Sequence, residues 1–317
     1  MITQSKPAND VDKNLRLGFR VVCSTALYPL EYSKTLIQLG YEPIAPRPGR
    51  TLFGARRMML PNIFQYAAYI KSVDGFTGCF RGLSARLVGN LLSAHFSEKV
   101  TVALLGKKKA RITQSVRETL PDFKFFGLDE FEEIEDTSPD TKEDMVYKAV
   151  THFCGVIISH PFHVISIRMM AQFIGREHMY DGLFGSIKEI WVHEGISGFF
   201  SGLIPRLWMD FCCIAVTSAI TYFLSKTVRG YVDTIAHFTV TSVMYPYHVV
   251  STCMAVQGSR LRAGNPPLMD HFINWRYCYA SLLLNGEHKR GSSFFFRSVA
   301  RAQIKPNNAF APYPDLK

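Results

Sequence analysis

The sequence predicts an all-α membrane protein: a threefold repeat of helix pairs whose sixth transmembrane helix is missing, so that a polar groove lies open to the side. Three observations predict it. Tyrosine or histidine stands before proline inside three apolar stretches; each is followed by a glycine-bearing loop; and the residues after Arg297 are too charged and proline-rich to form a last span.

The repeat is read first, because a fixed period decides the architecture. Its three cores are Tyr28-Pro29-Leu30-Glu31, His160-Pro161-Phe162-His163 and Tyr245-Pro246-Tyr247-His248. Asp74-Gly75 then leads to Phe80-Arg81-Gly82, and Glu194-Gly195 leads to Phe199-Phe200-Ser201-Gly202. The third copy reads as Asn285-Gly286 before Phe296-Arg297-Ser298, stretched and degraded. Copies one and two continue in parallel, as Gly82-Leu83-Ser84-Ala85-Arg86-Leu87 and Gly202-Leu203-Ile204-Pro205-Arg206-Leu207.

Each copy therefore reads as a long helix, a connection and a second long helix. The spacing predicts long helices over 15–40, 83–105, 145–173, 203–226 and 232–257, with a short amphipathic helix from Leu183 to Glu194. A helix crossing the hydrocarbon core needs about twenty mostly apolar residues. Thr234 to Gln257 has no formally charged residue over that length, and Ala149 to Ile167 is nearly as clean. The division expected is a polar tail (1–14), repeat one (15–105), a charged loop insertion (106–144), repeat two (145–226), an incomplete repeat three (227–298) and a polar tail (299–317). A soluble helical bundle would share the periodicity. Charges instead gather in connections, as in Lys107-Lys108-Lys109-Ala110-Arg111 and the acidic run Asp129 to Asp136, which favours spans.

Composition narrows the function. A net charge of +10 suits anionic lipid or an acidic partner, but the basic residues are spread out, with no zinc-finger spacing or aromatic-interleaved basic block, so no nucleic acid is expected. Seven cysteines without a CxxC pair read as buried thiols. The first fourteen residues lack an apolar core and carry Asp10 and Asp12, so targeting is expected to be internal. No Walker loop, GxGxxG or GxSxG occurs, and the chain is not expected to be an enzyme or to hold a cofactor. His160 and His163 flank a proline without acidic or thiolate neighbours, so no metal site is expected there.

On these residues the chain resembles the mitochondrial carrier superfamily, whose repeat reads P-x-[DE]-x-x-[KR], then [DE]-G, then an aromatic, a base and glycine. Gln38-Leu39-Gly40-Tyr41-Glu42-Pro43, His160-Pro161-Phe162-His163-Val164-Ile165, Gln172-Phe173-Ile174-Gly175-Arg176-Glu177 and Gly198-Phe199-Phe200-Ser201-Gly202-Leu203 are similar to its mitochondrial carrier homolog branch, more to the second paralogue than the first. The resemblance implies a multi-pass protein of the mitochondrial outer membrane that inserts α-helical, notably tail-anchored, proteins into that membrane. It also implies membrane lipid and pro-apoptotic proteins as partners.

The departures from the carrier pattern point the same way. Carriers close one side with a ring of ion pairs between repeats. Here only Glu31 and Lys34 remain, while His163 and Ser166, then His248 and Ser251, hold the equivalent places. Neutral imidazoles and hydroxyls cannot replace those pairs, so the electrostatic latch is lost. The final segment, with Arg301, Lys305, Pro306, Pro312 and Pro314, cannot cross hydrocarbon as a helix.

Polar residues then fall on one face of each helix. The expected groove comprises Glu31, Lys34, Gln38, Arg86, Asn90, His152, His163, Arg206, Asp210, Thr217, Asp233, His237 and His248, with Pro29, Pro161 and Pro246 kinking the helices. Lys34 and Asp210 are expected to matter most, either paired with each other or facing a client. A mitochondrial surface scaffold and a divergent small-molecule carrier are the alternative functions.

Overall fold

The computed structural model describes residues 6–50, 54, 56–105, 142–223 and 229–298; within its helices, the side chains of residues 6–20, 98, 142–145, 221–223 and 229–234 lie outside the description. Residues 106–141 of the charged insertion and the tail 299–317 are not among those described.

Five long helices carry the fold: α1 (Lys6–Gln38), α3 (Leu83–Leu105), α4 (Lys142–Gly175), α7 (Leu203–Phe223) and α8 (Arg229–Val256). Shorter helices link them: α2 (Ile63–Gly78), α5 (Gly182–Glu194), α6 (Ile196–Phe199) and α9 (Trp275–Leu284). Pro29, Pro161 and Pro246 lie inside α1, α4 and α8, which continue through them. Local chemistry sets the short helices. Asn62 and Gln65 form a reciprocal capping box at the start of α2, and Asn274 caps α9 through the Tyr277 amide at 2.9 Å.

The sequence reading of an all-α chain needs correction. Strands β1 (Arg47–Arg50), β2 (Arg56–Leu60) and β3 (Arg297–Ser298) form a small antiparallel sheet in the order β1-β2-β3. Its segments are rich in arginine, proline and glycine and lack alternation. The Arg297 guanidinium binds the Pro61 carbonyl at 2.8 Å and the Glu42 carboxylate, which pins β3 against β2.

The buried core sits at one end, where α1, α4 and α8 meet α2, α5 and α9. Tyr28, Tyr32, Leu36, Tyr66, Ile70, Val164, Met170, Phe173, Ile190, Val249, Val250, Cys278 and Leu282 fill it. Toward the other end the surface is apolar. Leu91, Phe96, Val100 and Leu104 on α3, Phe211 and Val216 on α7, and Ile235, Phe238 and Val243 on α8 are all exposed. A soluble bundle hides such residues; a bilayer accepts them. Among the described residues two stretches, Val146–Gly175 and Ile196–Ile220, are long and apolar enough to cross a membrane.

The threefold repeat has a physical form at the core end. Tyr28 donates to the Arg81 carbonyl at 2.8 Å, His160 Nε2 to the Ser201 carbonyl at 3.1 Å, and Tyr245 to the Arg290 carbonyl at 2.9 Å. Each acceptor precedes a glycine of positive φ: Gly82 (88°), Gly202 (78°) and Gly291 (73°). Each glycine lets the connection lie against the next long helix. A Cβ on Gly82 would stand 2.8 Å from the Ser166 carbonyl on α4, one on Gly202 would strike the Ser251 carbonyl on α8, and one on Gly291 would come within 3.5 Å of the Lys34 carbonyl on α1. The ring α1, α4, α8 is thereby closed.

This geometry corrects the third repeat. Its counterpart of Arg81-Gly82 is Arg290-Gly291 rather than Phe296-Arg297-Ser298, and the connection is shortened, not stretched. Gly75 to Gly82 and Gly195 to Gly202 each take seven steps, whereas Gly286 to Gly291 takes five. The residues before Gly291 lack an aromatic, and Phe296-Arg297 supplies a misleading one. After Gly291, where Leu83 and Leu203 open helices in the other copies, residues 292–298 are non-helical and end in β3.

Candidate functional site: a polar groove among the long helices

Three charged groups from two helices meet in the groove. Glu31 on α1 is ion-paired with Arg86 on α3, each side chain 14% exposed, and Lys34 feels both charges. The charged and titratable neighbours of His163 on α4 are Arg206 of α7, Arg86 of α3, His160 of α4 itself and His248 of α8. Side chains of Glu31, Lys34, Arg86, His163, Arg206 and His248, from five helices, therefore lie within one another's electrostatic reach. The convergence is polar without a ring of carboxylate and ammonium pairs: imidazoles stand in copies two and three.

Lys34 and Asp210 each have their own surroundings. The Lys34 ammonium lies 5.6 Å from the Tyr245 ring centroid and 5.5 Å from that of Phe294, a cation–π setting. Asp210 is buried at 1% exposure, and its carboxylate faces His152 Nε2 at 3.5 Å. His152 is the more exposed of the two, with 23% of its side chain accessible. Gln38 is also sunk, at 2% exposure. Its amide donates to the Tyr245 hydroxyl at 2.9 Å and accepts from Thr252 at 3.1 Å, so it braces the closed end instead of lining the groove. Asn90, Thr217 and His237 are half-buried on α3, α7 and α8. Asp233 lies on α8, with its side chain outside those described.

A family model for the mitochondrial carrier protein matches residues 141–232. "Mitochondrial carrier homolog 2" of Bos taurus is 37% identical over 285 residues, covering 86% of this chain and 89% of the relative. The Homo sapiens protein of the same name is 34% identical with the same coverage, and "Mitochondrial carrier homolog 1" of Mus musculus is 32% identical over 306 residues, covering 87% of this chain and 74% of the relative. The chain belongs to the mitochondrial carrier homolog family. It is thus a carrier-like protein associated with a mitochondrial membrane.

Within this mitochondrial carrier homolog fold, sequence reasoning passed over the most heavily engaged charge. Arg168 on α4 is fully buried. Its guanidinium grips Glu194 at the end of α5 through two bonds, one of 2.7 Å, and donates to the Ala255 carbonyl on α8 at 2.9 Å. The signal was available: an arginine inside an apolar span is expensive without a partner, and Glu194 belongs to the repeated acid-glycine pair. Copy one has the related Arg81–Asp74 bridge at 3.0 Å, and copy three pairs Arg290 with Glu287. In the connection, burial pushes the Glu42 carboxyl above the usual carboxylate range, opposed by the adjacent Arg297 guanidinium.

Proposed function

We propose that this chain is an insertase of the mitochondrial outer membrane for α-helical, chiefly tail-anchored, proteins, and that it works through a groove left open to lipid where a sixth span would stand. The observation that carries this reading is the convergence of Glu31, Arg86, His163, Arg206 and His248 between helices whose outer faces are apolar. A polar tail or loop crossing hydrocarbon meets a barrier of several kcal/mol. Charged and hydrogen-bonding groups at that depth offset part of it, and each 1.4 kcal/mol or so is about tenfold in rate.

Two further features support the reading. At the core end Tyr28, His160 and Tyr245 each donate a hydrogen bond to a backbone carbonyl of a connection, and the Arg168–Glu194 ion pair there joins a helix to a connection. Non-helical residues 292–298 also follow Gly291 where a helix opens in the other copies. No catalytic residue and no cofactor enters this mechanism; the clients and the surrounding lipid are the partners.

The test is reconstitution into liposomes with protease-protected insertion of a tail-anchored client as the readout, for wild type, Lys34→Glu and Asp210→Arg. Changed insertion by folded variants supports the groove as the working surface. Insertion no better than in protein-free liposomes sinks the proposal and favours a scaffold.

A further inference from the structure

The β1–β2 hairpin concentrates charge that the rest of the fold does not use. Arg47, Arg50, Arg56 and Arg57 are all exposed, and none has an ion pair or hydrogen bond among the described residues. Between Glu42 and Asp74 the sequence has no acidic residue, and Glu42 is occupied by Arg297. The register sets Arg50 directly opposite Arg56, so both guanidinium groups rise on one face of the hairpin. Like charges opposed across a strand pair repel, and an anion between them removes that repulsion. All four are arginines, whose planar forks fit phosphate oxygens two at a time.

Apolar surface lies beside these charges. Met58 shares the Arg56 face and is 44% exposed, and the exposed rings of Phe64 and Phe295 touch at 5.9 Å beside the exposed Phe296. On the opposite face of the hairpin, that of Arg47 and Met59, a cavity of about 350 Å³ opens, lined by Ile44, Ala45, Arg47, Met59, Leu60, Pro61 and Gln65. Cationic forks over aromatic and aliphatic groups match the boundary between headgroups and acyl chains. Arg47 comes only nine residues after α1 ends, at the rim of a membrane-embedded bundle.

We infer that the β1–β2 hairpin docks edge-on on the anionic phospholipid surface of the membrane, with Arg50 and Arg56 on one face and Arg47 and Arg57 on the other binding phosphate groups while Met58, Phe64 and Phe295 enter the headgroup boundary. The inference stands apart from the insertase reading and needs only a membrane-embedded chain.

Hydrogen exchange of the full chain in nanodiscs tests it, comparing phosphatidylcholine alone with phosphatidylcholine plus phosphatidylglycerol. Residues 45–60 are expected to exchange several-fold more slowly in the anionic discs, and less so at high salt. Each arginine near an anionic surface strengthens attachment about fivefold, so the fourfold Arg→Gln variant loses the protection. The fourfold Arg→Lys variant keeps part of it. Exchange in α3 and α4 reports that both variants are folded. Equal exchange in the two lipids, or protection that survives the Arg→Gln change, overturns the inference. So does protection in phosphatidylcholine discs by added polyglutamate but not by phosphatidylglycerol, which would mark the hairpin as a site for an acidic protein.

Discussion

Tyr245 and Gln38, far apart in sequence, are joined by a 2.9 Å hydrogen bond, and the same tyrosine hydroxyl donates to the Arg290 carbonyl at 2.9 Å. One phenol thus ties α1, α8 and the third connection together. Tyr28 does the equivalent work at the first connection, with Ser166 at 3.3 Å as its second partner.

Tyr245→Phe and Tyr28→Phe are each expected to lower stability by about 1–3 kcal/mol, since each removes a hydroxyl and leaves buried polar groups without it. Thermal unfolding in detergent measures this. Tyr245→Phe is expected to cost more, because it also strands the Gln38 amide.

The glycines of the ring tolerate no side chain. Gly82→Ala and Gly202→Ala meet backbone carbonyls of the next helix at positive φ, and each is expected to destabilise by more than about 1 kcal/mol. Gly185→Ala, exposed at the end of the first turn of α5 with nothing near its Cβ, is expected to stabilise by up to about 1 kcal/mol. Opposite signs in the same unfolding assay check the argument.

Arg168→Ala is expected to cost about 3–5 kcal/mol, because it removes one partner of a buried pair. Arg168→Met combined with Glu194→Leu is expected to recover much of that loss, since no charge is left stranded. Resistance to protease in detergent, followed across the single and double variants, reads out the cycle.

Glu31 and Arg86 are expected to behave as a unit. Glu31→Arg and Arg86→Glu each lose about 1.5–3 kcal/mol of charge-assisted bonding, and the double exchange is expected to restore folding through the swapped pair. Additive losses in the double variant's unfolding would show that the two residues do not interact.

Much of the fold was legible because long helices announce themselves by length and punctuation. The expected helix 83–105 coincides with α3, whose start is fixed by the turn at Gly82. The sheet was hidden because its strands have no alternating pattern and its third strand comes from far along the chain, pinned by Arg297 to Pro61 just beyond β2. The third repeat was misplaced because a shortened loop shifts register while leaving an aromatic-arginine pair downstream as a decoy. In the groove, helical spacing identified which residues share a face. It could not tell that Gln38 and Asp210 lie below the surface, since depth depends on how neighbouring helices approach. Arg168 escaped notice because its partner Glu194 comes from another helix.

The closed ring of α1, α4 and α8 also has a meaning in time. Its first member is made early and its last clasp, Arg290-Gly291, is made late. At synthesis rates of about 5–20 residues per second, α1 waits on the order of ten seconds or more before the segment that completes its packing exists. Through that interval Tyr28, Gln38 and the apolar face around them have only part of their final company.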